Sequence, residues 1–352
     1  GSGALVIDAG NLLDIQGSYT VNGGDLAGPG DLDVGTGGTL TFGGNSRLDN
    51  GLQLTNAGFV QWTGGDLDLV NTGGGAQNGL IDNKTGAVFE ITGGSDLRDI
   101  AGDGADWSID NAGILRKTGG GTTDLFVALS QANSGEVEVV AGRLDLHGAA
   151  GATNGTFDVQ NQGVLRLSDG TYTLDSNIAM IVAQGGSLGA GTDAQVTIAS
   201  DADFSQFAGD LAVESNSTLN IEAPVASVGG TTVANGTLVF TGSGSQSYIS
   251  PVFTQSGDSA LTQLNGTGFI PSDRFALQGG VFEAGSVAFT TAQAVIDGGT
   301  LDTTATLTAT GTQSELESGT LRGQNGRLHL TAGSQASKSG GGALAIESGF
   351  TL

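Results

Sequence analysis

The sequence predicts an all-β fold, a single elongated parallel β-solenoid with protruding loops. Three observations lead there. Glycine is extreme at 64 of 352 residues while proline falls to four. Apolar and polar residues alternate over short runs, the period of a strand with one buried and one wet face. Those runs recur as one unit along the chain, which marks a repeat architecture.

The unit is a turn of Asn-x-Gly type, a short alternating strand, a second glycine turn and a second short strand. Asn56-Ala57-Gly58-Phe59-Val60-Gln61-Trp62 leads to Gly64-Gly65-Asp66-Leu67-Asp68-Leu69. Asn111-Ala112-Gly113-Ile114-Leu115-Arg116-Lys117 opens another unit. Asn133-Ser134-Gly135-Glu136-Val137-Glu138-Val139 precedes Gly142-Arg143-Leu144-Asp145-Leu146, and Asn161-Gln162-Gly163-Val164-Leu165-Arg166-Leu167 follows. Asn and Gly tolerate positive φ, so these pairs are read as the bends. The alternation puts Val137, Val139, Leu144 and Leu146 inside and Glu136, Glu138, Arg143 and Asp145 outside.

From Asn111 to Asn133 is 22 residues and from Asn133 to Asn161 is 28, while Asn56 to Asn111 spans 55, or two units. Coils of about 20–28 residues follow, roughly sixteen of them at an average near 22. A sandwich would instead join its strands by tight two-residue hairpins. Collagen is excluded because its strict Gly-X-Y period and abundant proline are missing. A 38% hydrophobic share in ordered alternation argues against disorder. Helical spacing is almost missing, and glycine would interrupt any such run.

The rhythm breaks over 242–275. Two of the four prolines, Pro251 and Pro271, fall there with Tyr248, Phe253, Phe269 and Phe275. This stretch is expected to be an irregular, loop-rich segment or a change of coil shape, and the best candidate to carry function. Gly1-Ser2-Gly3 reads as an expression remnant, so the repeat domain is taken as 4–352. The chain reads as a fragment whose targeting and anchoring regions lie elsewhere.

Eleven Lys and Arg stand against 36 Asp and Glu, a formal charge of −25. Such a chain repels nucleic acid and anionic membranes, so neither is expected as a partner. No apolar run reaches the eighteen residues or so that a spanning helix needs, so this segment is not expected to insert in a membrane. Cysteine is absent, which removes disulfides and thiol chemistry.

The chemistry-bearing residues are few. Gly185-Gly186-Ser187-Leu188-Gly189 matches a nucleophile elbow, but that motif needs a following helix and an activating histidine. His147 and His329 are the two histidines, and each falls in a strand alternation as an outward residue. Gly73-Gly74-Gly75 and Gly119-Gly120-Gly121 lack the lysine of a phosphate loop. The densest acidic set is Asp99, Asp103, Asp106 and Asp110 around Trp107. Crowded oxygen ligands make it a candidate calcium loop. Gly102-Asp103-Gly104-Ala105-Asp106 matches part of the calcium-binding β-roll repeat, though once rather than in tandem. No other cofactor is implied. Thr303-Thr304-Ala305-Thr306-Leu307-Thr308-Ala309-Thr310 is read as an exposed strand face rather than a ladder built for ice. Five Asn-x-Ser/Thr sites, at Asn83, Asn154, Asn216, Asn235 and Asn265, are read mostly as turns.

The Asn-x-Gly units, with the Gly-Thr-Leu echoes at 38–40, 236–238, 299–301 and 319–321, resemble the β-strand repeats of large bacterial surface proteins. That group comprises autotransporter passengers and filamentous-haemagglutinin-like exoprotein adhesins. The resemblance covers the whole chain loosely and is closest from Asn111 to Gly148. It implies a right-handed parallel β-helix on a bacterial cell surface or outside the cell, acting as a rigid stalk or adhesion rod. Its partners would be a glycan or protein on a host or neighbouring cell, or further copies of itself in a filament or surface layer. A polysaccharide-acting β-helix enzyme is the competing expectation, since glycoside cleavage uses paired acids. That enzyme would gather acids, basic residues and aromatics on one face of adjacent coils, which the sequence does not display.

Overall fold

The computed structural model describes residues 3–72, 78–100, 107–132, 134–147, 154–223, 225–241, 247–331, 336–337 and 342–352. It is all-β, with parallel strands stacked as a β-solenoid of about 14 turns rather than sixteen. The count falls because several coils are long; equivalent asparagines lie 27 and 28 residues apart. No helix of the described residues is long and apolar enough to cross a membrane. The chain forms two compact units, one of residues 1–172 with 177–181 and one of 173–176 with 182–352.

In the first unit a turn consists of three short strands, each on its own sheet. Asp31–Val34, Thr39–Phe42 and Ser46–Asp49 make one such turn, and Gln53–Asn56, Phe59–Trp62 and Leu67–Val70 make the next. Each pairs in parallel and in register with its counterpart one turn on. Like residues therefore stack. Leu32, Leu54, Ile81, Ile109 and Leu129 form one inward column. Leu40, Val60, Phe89, Leu115, Val137 and Phe157 form another. All are buried. The predicted alternation holds for Val137, Val139, Leu144 and Leu146, which lie inside, and for Glu136, Glu138 and Arg143, which are half-buried, but Asp145, expected outside, is buried.

The Asn-x-Gly corners differ from expectation. Asn56, Gly58, Asn111 and Gly113 are not among the positive-φ residues. Asn56, Asn83 and Asn111 instead point inward, fully buried, and form an amide ladder. Asn56 Nδ2 donates to Asn83 Oδ1 at 2.8 Å, and Asn83 Nδ2 donates to Asn111 Oδ1 at 2.7 Å. Each amide also donates to a backbone carbonyl, that of Val88, Ile114 or Glu136. Gln131, in register with Asn111, continues the column by donating to the carbonyls of Gly135 and Thr156, both at 3.1 Å. The glycine is needed for closeness, not handedness: a methyl at Gly135 would collide with the Asn111 carbonyl oxygen of the turn before. Of the Asn-x-Ser/Thr sites, Asn216 and Asn265 do sit in positive-φ turns, while Asn83 is sealed in the ladder.

The second unit fills its interior differently. The expected loop-rich segment is largely strand: Ser247–Gln255 and Gly268–Leu277 pair in parallel, with a register shift between Ser250 and Val252 near Pro251. Residues 242–246 lie outside the described residues. Tyr248, Phe253, Phe269 and Phe275 are core, not display. With Phe282 and Phe289 they form an aromatic stack, Phe275–Phe282 at 4.9 Å and Phe253–Phe269 at 5.1 Å between ring centres, mostly edge to face. The Tyr248 hydroxyl lies 2.5 Å from Thr232 Oγ1, which bonds Ser250 Oγ at 3.0 Å. Burial raises the Tyr248 pKa.

Candidate functional site

Outward side chains stack as regularly as inward ones. On the sheet carrying Leu67–Val70, Leu97–Asp99, Thr122–Phe126 and Gly142–His147, an acidic column runs up one side. The backbone N–H of Asp96 donates to Asp66 Oδ1 at 3.2 Å, and that of Asp124 donates to Asp96 Oδ1 at 3.3 Å. Beside it Asp25, Arg47, Asp68 and Arg98 alternate in sign, in register. Arg98 Nη2 reaches Asp66 Oδ2 and Asp68 Oδ1, both at 2.8 Å. On the sheet of Val88–Ile91 and Ile114–Lys117, Gln61 bonds Glu90 at 3.0 Å, Arg116 pairs with Glu138, and Gln160 donates to Glu138 at 2.7 Å. Burial, reinforced by the charge of Glu138, raises the pKa values of Glu136 and Asp158.

The two columns of the first sheet meet at His147. Its ring lies on Phe126 of the turn below, 4.3 Å between centres and 28° from parallel. Its Nε2 is 2.8 Å from Asp124 Oδ1 on that same lower turn. Its Nδ1 is 2.6 Å from Asp169 Oδ2 on the turn above. Burial pulls the imidazole pKa down, but the hydrogen bonds to Asp169 and Asp124 and their charges outweigh it, and the net shift is upward. Asp145, in register between Asp124 and Arg166, is the buried member, 3% exposed. Arg143 grips it with both arms, Nε to Oδ1 at 2.6 Å and Nη2 to Oδ2 at 2.5 Å. Burial nevertheless raises the Asp145 pKa. Beneath, the Tyr172 hydroxyl lies 2.7 Å from the carbonyl oxygens of both Leu146 and Ser168, lacing the same two turns.

Asp124, Asp145 and His147 each bring an oxygen or nitrogen within 4.8 Å of the others, the spacing a cation would require. Those atoms are already engaged. The guanidinium of Arg143 takes both Asp145 oxygens, and Asp124 faces His147 Nε2. The cluster is a network of hydrogen bonds and ion pairs in which these atoms are committed to side-chain partners.

The sequence-predicted residues fare unevenly. Asp99 and Asp110 stand on different sheets, and Asp103 and Asp106 lie outside the described residues. Asp99 is in register with the inward Leu69, and its Oδ2 accepts from the Trp107 backbone N–H at 3.4 Å. Asp110 faces outward, stacked on Asp82. Trp107 is buried, its ring filling the space a side chain at Gly79 would take. Ser187 opens the strand Ser187–Ala190 and is followed by no helix, so the elbow geometry is not formed. His147 is outward, as read, but its partners lie 22 and 23 residues away, visible only once the coil length is known. Lys117 was not anticipated inside. It is in register with Ile91 and Val139, buried, and its ammonium donates to the Gly119 carbonyl at the corner. Burial lowers its pKa.

Fold and surface together define a parallel β-solenoid repeat protein. No protein-family model matches the chain, and no curated protein matches it significantly.

Proposed function

We propose that this chain is a structural and adhesive repeat segment of a secreted or cell-surface bacterial protein. The observation that carries the reading is the use made of outward charged side chains. Arg98, Arg116, Arg143 and Arg322 each pair with a carboxylate on the sheet surface, three of them across turns, so surface chemistry goes into holding turn upon turn. A glycan or protein on a host or neighbouring cell is the partner this reading implies. The likeness of the Gly-Thr-Leu and Asn-x-Gly units to bacterial surface repeats supports the same assignment.

The competing reading, a polysaccharide-acting enzyme, has one observation in its favour. Asp145 and Asp124 stand side by side, and burial raises the pKa of Asp145, as a general acid requires. The two-armed grip of Arg143 counts against it. The test is an array of polysaccharides read for retention and for released reducing ends. Retention without cleavage is expected. Cleavage that disappears in Asp145→Asn would replace the adhesive reading with the enzymatic one.

A further inference from the structure

We propose that His147 is a proton-operated staple that ties three successive turns of the first unit together. The argument rests on the number of protons an imidazole holds. Both ring nitrogens lie within hydrogen-bond distance of a carboxylate oxygen, Nε2 at 2.8 Å from Asp124 and Nδ1 at 2.6 Å from Asp169. An ionised carboxylate only accepts. A neutral imidazole has one N–H and one lone pair, so it serves one of the two aspartates and turns a lone pair on the other. The imidazolium alone donates to both.

The surrounding charges fit that form. From the turn below, Asp124 faces the ring directly and Phe126 stacks on it, with Asp96 next along the acidic column and Arg98 committed to Asp66 and Asp68. On the strand of His147 itself are Asp145 and Arg143. From the turn above come Asp169 and, in register with Asp145, Arg166. Tyr172 lies beneath with its pKa raised, so it stays neutral. Across these three rungs three carboxylates meet two guanidiniums, and the imidazolium is the third cation that balances them.

The folded state raises the His147 pKa above its ordinary value. The staple is therefore fully present below about pH 6.5, the unfolded value, and is lost as pH rises through the folded value. Above that point one of the two ties opens and Asp124 or Asp169 is left facing a lone pair.

The experiment is an NMR titration of the ring protons in the full chain, with EDTA present. The second histidine, His329, is removed by His329→Gln so that one signal remains. The expected midpoint lies above 6.5, and Asp169→Asn, at an exposed position, should lower it by about one unit. In thermal melts His147→Gln should lower Tm at pH 6 and lose most of that effect by pH 9. A midpoint at or below 6.5, a midpoint unmoved by Asp169→Asn, or an equal His147→Gln penalty at pH 6 and pH 9 overturns the proposal. Should His147→Gln fail to fold, the Asp169→Asn shift alone decides.

Discussion

The two units line their interiors with opposite chemistry. In the first, a column of buried amides runs through Asn56, Asn83 and Asn111 between stacks of Leu, Val and Ile. In the second, rings take over: Phe253, Phe269, Phe275, Phe282 and Phe289 pack edge to face. Both solve the same difficulty, which is that each coil must meet its neighbour along every strand. Rings fill volume and hold through shape and burial. Amides bury polar atoms, which is tolerable only because each finds a partner in the adjacent turn. The aromatic interior should therefore respond to lost volume, the amide interior to a lost partner.

Substitutions separate these two modes, and the largest effect belongs to the rings. Phe275→Ala removes a fully buried ring that touches four others and should cost about 3–5 kcal/mol in urea unfolding, with no dependence on salt. Asn83→Leu keeps the branched shape but strands one N–H of the Asn56 amide and the Asn111 acceptor. A loss of about 2–3 kcal/mol is expected by the same method. Were Asn83→Leu neutral, the ladder would be packing alone and the contrast between the units would collapse. Arg116→Gln breaks a pair on the outer face, where screening is strong, and should cost under about 1 kcal/mol, shrinking further in high salt.

What was legible in the sequence was whatever repeats within a strand. Alternation alone places Val137, Val139, Leu144 and Leu146 inside. What was hidden depends on matching one coil to the next. Asn56 and Asn111 look like turn formers because the sequence does not show that another buried amide, Asn83 or Gln131, sits above each of them. The aromatic run around Pro251 and Pro271 looks like a loop because its strands bend through the coil instead of stopping at corners. Lys117 and Asp99 break the inward pattern for local reasons, a corner carbonyl and the Trp107 backbone amide, that only the folded chain supplies. The His147 cluster joins residues 22 and 23 apart, so it emerges only after coil lengths are fixed.

The amide column also bears on how such a chain tolerates change in length. Its links span 27 and then 28 residues, so the column ignores how long the path around a coil is and reads only which residue ends the strand. An insertion at a corner leaves Asn83 in place. A slip of one residue within the strand would bring Asp82 or Lys84 into the interior, where neither finds an amide to pair with. The column works as an error check that accepts insertions and rejects frame slips, leaving corners as the places where this sequence is free to lengthen.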